Sequence, residues 1–251
     1  MAGDIVLLTG ATGTIGFKTL VLLLEAGYTV RAATRNQAGF DKISSLSPIA
    51  KHKSQLSSFI VPDITIPGAF DEAVKGVTYI PAIRGTVGIL DSANKVTGIK
   101  RVVITASVAS IASKSRFALG VIDENTLHVE TEGPFSTGGA AYHASKALAF
   151  QATKDFIKSK KPAFDVINIL PVFVLGGDDT VTDLGSITKG SGGILMRLIL
   201  GHAADAPITG IGVHIDDVAK MHVLSLDPQI ADWAESFEIV KRRFPKEYAD
   251  A

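Results

Sequence analysis

No cysteine occurs in this chain. That absence excludes disulfides, a thiolate nucleophile and Cys-ligated zinc, and it accords with a reducing compartment. An excess of charge of either sign is missing too: 25 Lys plus Arg stand against 25 Asp plus Glu, a formal net charge of zero. Nothing in that balance marks a nucleic acid or an anionic membrane as partner. No apolar run approaches the length of a membrane span, and the six histidines lack the H-x-x-x-H or carboxylate spacing that would hold zinc. The first strand begins so close to Met1 that no signal segment fits before it. These absences predict a soluble, cytoplasmic protein with no metal site. Its 251 residues, 46% of them hydrophobic, suffice for one large domain with a smaller appendage.

What is present is organised around IVLLTGATGTIG, from Ile5 to Gly16. Ile5, Val6, Leu7 and Leu8 form a short continuous apolar run, as expected of a strand covered on both faces in a parallel sheet. Gly10, Gly13 and Gly16 follow at intervals of three. The first suits a tight turn off the strand, the second lets a pyrophosphate approach the backbone, and the third lets the new helix pack close to the sheet. With the positive end of that helix facing the phosphates, the stretch reads as a dinucleotide cradle. Its spacing, G-x-x-G-x-x-G, differs from the usual G-x-G-x-x-G fingerprint.

Strand and helix patterns then alternate: helix over 17–25 ended by Gly27, strand over 28–34, strand over 58–61, helix over 70–74, strand over 77–80, helix over 83–96, and strand over 101–106. Arg35 stands at the end of the second strand, where an acidic residue would hold a ribose 2′-OH and an arginine suits a 2′-phosphate. This predicts NADP(H), with Arg35 and then Lys42 on the phosphate, against the plain alternative of two solvated surface cations. Asp63 either accepts from the adenine amino group, with Ile64 covering the ring, or caps its own turn. The junction at Ile80 and Pro81 is abrupt. A strand passing into a helix without a loop is sterically unreasonable, which predicts that residues are absent there, and a similar junction occurs at Ile230 and Ala231.

The fifth strand delivers Ser107 to the carboxyl edge of the sheet, where ligands bind in open α/β folds. Farther on, YHASK opens a helix over 142–158, so that Tyr142 and Lys146 lie one turn apart on one face. A free phenol is a poor acid near neutrality, but a neighbouring ammonium favours its phenolate. Ser107 can hold a substrate oxygen while Tyr142 protonates it.

TGATGTIG, the TAS that ends the fifth strand, and YHASK together resemble the extended short-chain dehydrogenase/reductase family. The nearest look is to its dihydroflavonol-4-reductase-like branch, which includes fungal and yeast ketone and aldehyde reductases. The resemblance runs on through PAIRGTVGIL, NILPVFVLG and VHIDDVAKMHV to FEIVKRRFP, nearly the whole chain. It implies Ser107, Tyr142 and Lys146 as the catalytic set. For the cofactor it implies Arg35 and Lys42 on the 2′-phosphate and Asp63 with Ile64 at the adenine. The cradle residues Gly10, Thr12, Gly13, Thr14, Ile15 and Gly16, the strand-end residue Thr105, and Pro171 with Val172 complete the expected cofactor wall, together with Tyr142 and Lys146. Two family features have no clear match: a His-x-Ala-Ser-like segment after the fourth strand, and a relay asparagine in PAIRGTVGIL.

A sixth strand is expected over 164–170, broken by Pro171. Beyond it come Gly- and Asp-rich turns, a helix over 194–200, a short strand over 210–215 and Asp216 and Asp217 capping another helix. We therefore expect an α/β fold with a doubly wound Rossmann-type parallel sheet: an NADP-binding domain over 1–171 and a smaller substrate-binding portion over 172–251. Ser107, Tyr142, Phe173 and Thr188 are its candidate substrate contacts, with Leu195 and Met196 as further apolar lining. The reading is an NADPH-dependent carbonyl reductase, monomer or homodimer, acting on a small ketone or aldehyde. Two alternatives stay open: an NADP-binding redox sensor without chemistry, and a sugar-nucleotide epimerase or dehydratase, for which the C-terminal portion is poor in basic residues.

Overall fold

The computed structural model describes residues 4–82, 86–111, 129–183, 185, 190–202 and 212–227. Among these, six parallel strands, β1 (Ile5–Thr9), β2 (Thr29–Thr34), β3 (Leu56–Ile60), β4 (Tyr79–Ala82), β5 (Arg101–Thr105) and β6 (Asp165–Ile169), lie in the order β3-β2-β1-β4-β5-β6. The order reverses between β1 and β4, and in such a Rossmann-type sheet ligands bind outside the strand ends at that reversal. Why β1 is apolar from Ile5 to Leu8 follows from its neighbours. Successive residues of a strand face opposite sides. Val6 and Leu8 join a core with Phe17, Leu20 and Leu24 of α1 (Thr14–Glu25), whereas Leu7 joins a second core with Ile80 and with Ile89 and Leu90 of α3 (Thr86–Ala93). Each of these fully buried side chains stabilises the fold by about 1.5–3 kcal/mol. α1 ends where expected, at Gly27, whose φ of 87° lets Tyr28 N–H turn back to the Leu23 carbonyl at 3.1 Å.

Two sequence expectations need correction. β4 does not end at Ile80: it runs through Pro81, paired with Val103, to Ala82, and of the helix expected over 83–96 the described part is Thr86–Ala93, residues 83–85 lying outside the described residues. Pro81 is accommodated near the strand end. It has no N–H to give, and the ladder to β1 is found only at Tyr79 and Ala82. The second correction concerns 70–74, which are not a helix but a succession of turns closed by bonds such as Asp71 N–H to Gly68 O, 2.9 Å. Gly68 at φ 79° and Gly76 at φ 70° bound a run too short to carry a helix. Asp71 is held across to α3 by Ser92 at 2.7 Å and by Lys95. Phe70, Ala73 and Val74 are nevertheless buried, as an apolar-periodic stretch should be. The junction at Ile230 lies outside the described residues.

After β6, strand β7 (Phe173–Leu175) pairs in parallel with β8 (Gly212–His214), and β8 leads directly into α6 (Ile215–Leu224). α6 packs on α1, with Lys18 and Asp216 2.9 Å apart, and Leu226 just beyond it belongs to the same core as Val6. The cap of α6 is His214, whose Nδ1 accepts from Asp216 N–H at 3.3 Å; Asp216 and Asp217 lie in the first turn, where negative charge is favoured. Two other helices frame the sheet, α2 (Gln37–Ser45) and α4 (Gly138–Lys160), and α5 (Gly190–Ile199) lies against β7. Among the described residues no helix is long and apolar enough to cross a membrane.

Candidate active site

The cradle forms where β1 meets α1. Gly10 adopts φ 74°, a left-handed conformation that favours glycine, and its carbonyl accepts from Gly13 N–H at 3.0 Å. A Cβ on Gly16 would sit 2.0 Å from the Gly10 oxygen and 2.6 Å from its carbonyl carbon, so a side chain there must push the helix off the turn. Gly13 differs: its Cβ would meet the Gly10 oxygen at an ordinary 3.6 Å. Gly13 is the N-cap of α1 without a side-chain cap, which leaves the first-turn N–H groups of Thr14, Ile15 and Gly16 at the positive helix end. Thr12 and Thr14 are exposed there. The Thr14 hydroxyl donates to the carboxylate of Asp178, whose other oxygen accepts from Thr180 N–H at 3.0 Å and from its hydroxyl at 2.6 Å. A carboxylate thus lies at the mouth of the cradle, a contact no local sequence pattern announces.

At the end of β2, Arg35 is exposed and Asn36 caps α2 by accepting Gly39 N–H at 2.9 Å; Lys42 is exposed on the same helix. Asp63 caps its turn, accepting from the Thr65 hydroxyl at 2.6 Å and from Thr65 N–H at 2.8 Å. Those bonds, with Arg35 as a smaller influence, hold its carboxyl below the ordinary value of 3.8. Ile64 is half-buried against the second core.

β5, buried along its whole length, brings Ala106 and Ser107 to the sheet edge. Ala106 N–H donates to Ile169 O at 2.8 Å and Val108 N–H to Pro171 O at 3.1 Å, so the ends of β5 and β6 are stitched together. Ser107 Oγ accepts from Ala109 N–H at 3.2 Å and so caps the 3-10 turn Val108–Ser110, on which α4 packs. The oxygen of Ser107 accepts from a backbone donor, and its own proton has no acceptor among the described residues. α4 starts at Thr137, whose hydroxyl accepts from Ala140 N–H at 3.1 Å. One turn in, Tyr142 is 49% exposed, open to a substrate, with Lys146 Nζ 5.9 Å from its ring centre. Lys146 also lines a cavity of about 20 Å³ with Thr105, Ala106, Thr153 and Asn168. The Asn168 Oδ1 in that wall is buried without a partner among the described residues.

Not every predicted residue presents its side chain to this edge. Thr105 is buried and its hydroxyl is turned inward onto His222 at 2.6 Å, so a cofactor contact there falls to other atoms. Val172 and Phe173 follow Pro171 beside β6, and Phe173 is 39% exposed at the start of β7. Thr188 lies outside the described residues. Leu195 is exposed and Met196 half-buried on α5. No group of three or more His, Cys, Asp or Glu able to hold a metal occurs among the described residues.

His222 is fully buried, and burial pushes its pKa below the ordinary 6.5 while the bond to the Val218 carbonyl opposes the shift. The folded protein therefore holds this ring neutral, and the unfolded chain takes up a proton first as the pH falls below about 6.5. The stability tied to His222 is complete above that pH and declines as acid is added below it. A melting temperature that falls between about pH 6.5 and pH 5, with a flatter slope in His222→Gln, is the expected result. Identical slopes in the two proteins would contradict it. The carboxylates of Asp71 and Asp216, held below 3.8 by Lys95 and Lys18, act only at lower pH.

Residues 6–235 match the family model described as the NAD dependent epimerase/dehydratase family. Ketoreductase CTB6 of Cercospora nicotianae is 34% identical, over 99% of this chain and 83% of its own length. The NAD-dependent epimerase/dehydratase ALT6 of Alternaria alternata is also 34% identical, over 97% of this chain and 83% of its own. The alignment to CTB6 runs over 295 positions against 251 residues here, so that relative carries segments with no counterpart in this chain. Among solved structures, Gre2 of Candida albicans in complex with NADPH matches with a TM-score of 0.77 and 25% identity, over 91% of this chain and 76% of that one.

Proposed function

The chain belongs to the NAD-dependent epimerase/dehydratase family, the extended short-chain dehydrogenases/reductases, and from that premise we propose that it reduces a ketone or aldehyde to the alcohol with NADPH, Tyr142 giving the proton. One observation carries this reading: Tyr142, open to solvent and one turn from Lys146, stands on the helix that packs against the Ser107 turn. Ketoreductases among the relatives and an NADPH-bound structural neighbour support it.

The residues fit such a cofactor. Gly13 has room that the protein itself does not require, and α1 offers uncapped N–H groups where a pyrophosphate would lie. Gly10, Thr12, Gly13, Thr14, Ile15 and Gly16 would hold that diphosphate, Arg35 and Lys42 the 2′-phosphate, and Asp63 with Ile64 the adenine end; Thr105, Pro171 and Val172 would complete the wall. When bound, the nicotinamide supplies hydride to the carbonyl carbon. Ser107, whose oxygen accepts from Ala109 N–H, donates a hydrogen bond to the carbonyl oxygen and holds it, keeping its own proton. The Tyr142 O–H bond breaks as the new O–H bond of the alcohol forms. Lys146 stabilises the negative charge left on the phenol oxygen. Phe173 and Thr188 are proposed to line the substrate side.

Loss of NADPH absorbance in the presence of aryl ketones, β-keto esters or aldehydes tests the proposal. Consumption with at least one class is expected, and none with any class while NADPH binds would favour a sensor. The cofactor preference has its own test. Arg35→Glu removes a charge-assisted partner of the 2′-phosphate, and the NADPH-over-NADH preference should fall by about one to two orders of magnitude. An unchanged ratio would remove Arg35 from the phosphate site.

A further inference from the structure

His222 lies on α6, and its exposure is 0%. Both of its ring nitrogens are engaged. Nδ1 is 2.7 Å from the Val218 carbonyl, which can only accept, so Nδ1 carries the proton. Nε2 is then a bare acceptor, and the Thr105 hydroxyl donates to it at 2.6 Å. The tautomer is fixed by its partners.

Thr105 is the last residue of β5, two residues ahead of Ser107. At the other end of the same strand, Arg101 Nη1 donates to Ser225 O at 3.0 Å and to Asp227 O at 2.6 Å, just past α6, and Nη2 reaches Asp165 at 2.9 Å. Arg101, Val103 and Thr105 share one face of β5 by the two-residue repeat of a strand. Between the two polar fastenings, Val103 packs in the same core as Leu226. α6 is itself anchored on α1 by Lys18 and Asp216. The strand that carries Ser107 is thus clamped to an anchored helix at both ends.

An apolar ring or chain at 222 would fill the space and leave the Thr105 hydroxyl without its acceptor. Thr105 is the last residue of β5, so the loss of that acceptor is felt where the chain leaves the sheet towards Ser107.

We propose that His222 is a positioning residue: through Thr105 it fixes the end of β5, and with it the place where Ser107 leaves the sheet to meet the carbonyl oxygen. The inference rests on the reductase reading above. His222 touches neither substrate nor cofactor in this scheme and acts only through Thr105.

Four variants test it in the full-length protein: His222→Leu, His222→Gln, Thr105→Val and the Leu/Val double variant. His222→Leu and Thr105→Val should each lower kcat about tenfold to a hundredfold, the scale of a small misplacement of a reacting group, and His222→Leu, at a residue that touches no cofactor, should leave the NADPH Kd unchanged. The double variant should be no slower than either single one, because both remove the same link. His222→Gln, which keeps an acceptor for Thr105, should recover most of kcat. Should His222→Leu fail to fold, Thr105→Val and His222→Gln carry the comparison. An unchanged kcat in folded variants, multiplying losses in the double variant, or Gln no better than Leu would each overturn the proposal. A wild-type protein that binds NADPH and reduces no carbonyl would instead overturn the reductase reading, and this inference with it.

Discussion

Tyr142→Phe is expected to lower turnover about 10²- to 10⁴-fold while NADPH binding stays intact. The substitution removes one oxygen and leaves the ring, and the ring is what α4 presents beside Lys146. With 49% exposure the side chain supports little packing, so the fold should not notice the change. On the proposed mechanism what is lost is the proton for the nascent alkoxide, while Ser107 would still hold the carbonyl oxygen and set the residual rate. The comparison of kcat with the NADPH Kd, measured by fluorescence titration, separates the two roles. Normal turnover in Tyr142→Phe would discard the mechanism, and a lost Kd would place Tyr142 in binding and not in proton transfer.

The second large effect lies at the cradle, where two glycines of one motif should respond differently. In Gly16→Ala the new methyl meets backbone at 2.0 Å, and backbone cannot rotate away. α1 must lift from the turn, so the variant should lose several kcal/mol of stability, beyond the roughly 1–3 kcal/mol usual for overpacking, and bind no NADPH. In Gly13→Ala the methyl finds an ordinary 3.6 Å contact, so the melting temperature should stay close to that of the wild type. NADPH affinity should still drop by an order of magnitude or more, because the methyl would stand where the proposed diphosphate site lies. Thermal melts and cofactor titrations on both variants check this. Unaltered NADPH affinity in Gly13→Ala would move the diphosphate away from the helix end.

Features set by local chemistry were legible in the sequence. The apolar run of β1, the glycines, the Gly27 stop and the Tyr142–Lys146 spacing each depend on a few adjacent residues, and each lies where the sequence predicts. The turn-cap alternative for Asp63 was legible too, since an Asx turn needs only Thr65 two residues on. Pro81 misled because proline argues against a central strand, and only the ladder to β1 shows how the bond it cannot make is absorbed. The run at 70–74 has helical periodicity, but its glycine borders and the grip of Ser92 and Lys95 on Asp71 favour turns.

Contacts between distant segments were not legible. His222 and Thr105 are 117 residues apart, and Thr14 and Asp178 are 164 apart. Periodicity alone assigns a histidine inside an amphipathic helix to plain core. The strand around 212–214 was predicted, but not its partner Phe173–Leu175, because pairing of short strands carries no composition signal.

The most direct test of the account follows the hydride itself. The wild-type protein would be incubated with an accepted ketone and NADPH deuterated at the transferred nicotinamide position, and the product analysed by mass spectrometry. The account predicts an alcohol with one deuterium on the carbinol carbon, in amounts equal to the NADPH consumed. An unlabelled product, or NADPH consumed without alcohol, would contradict it.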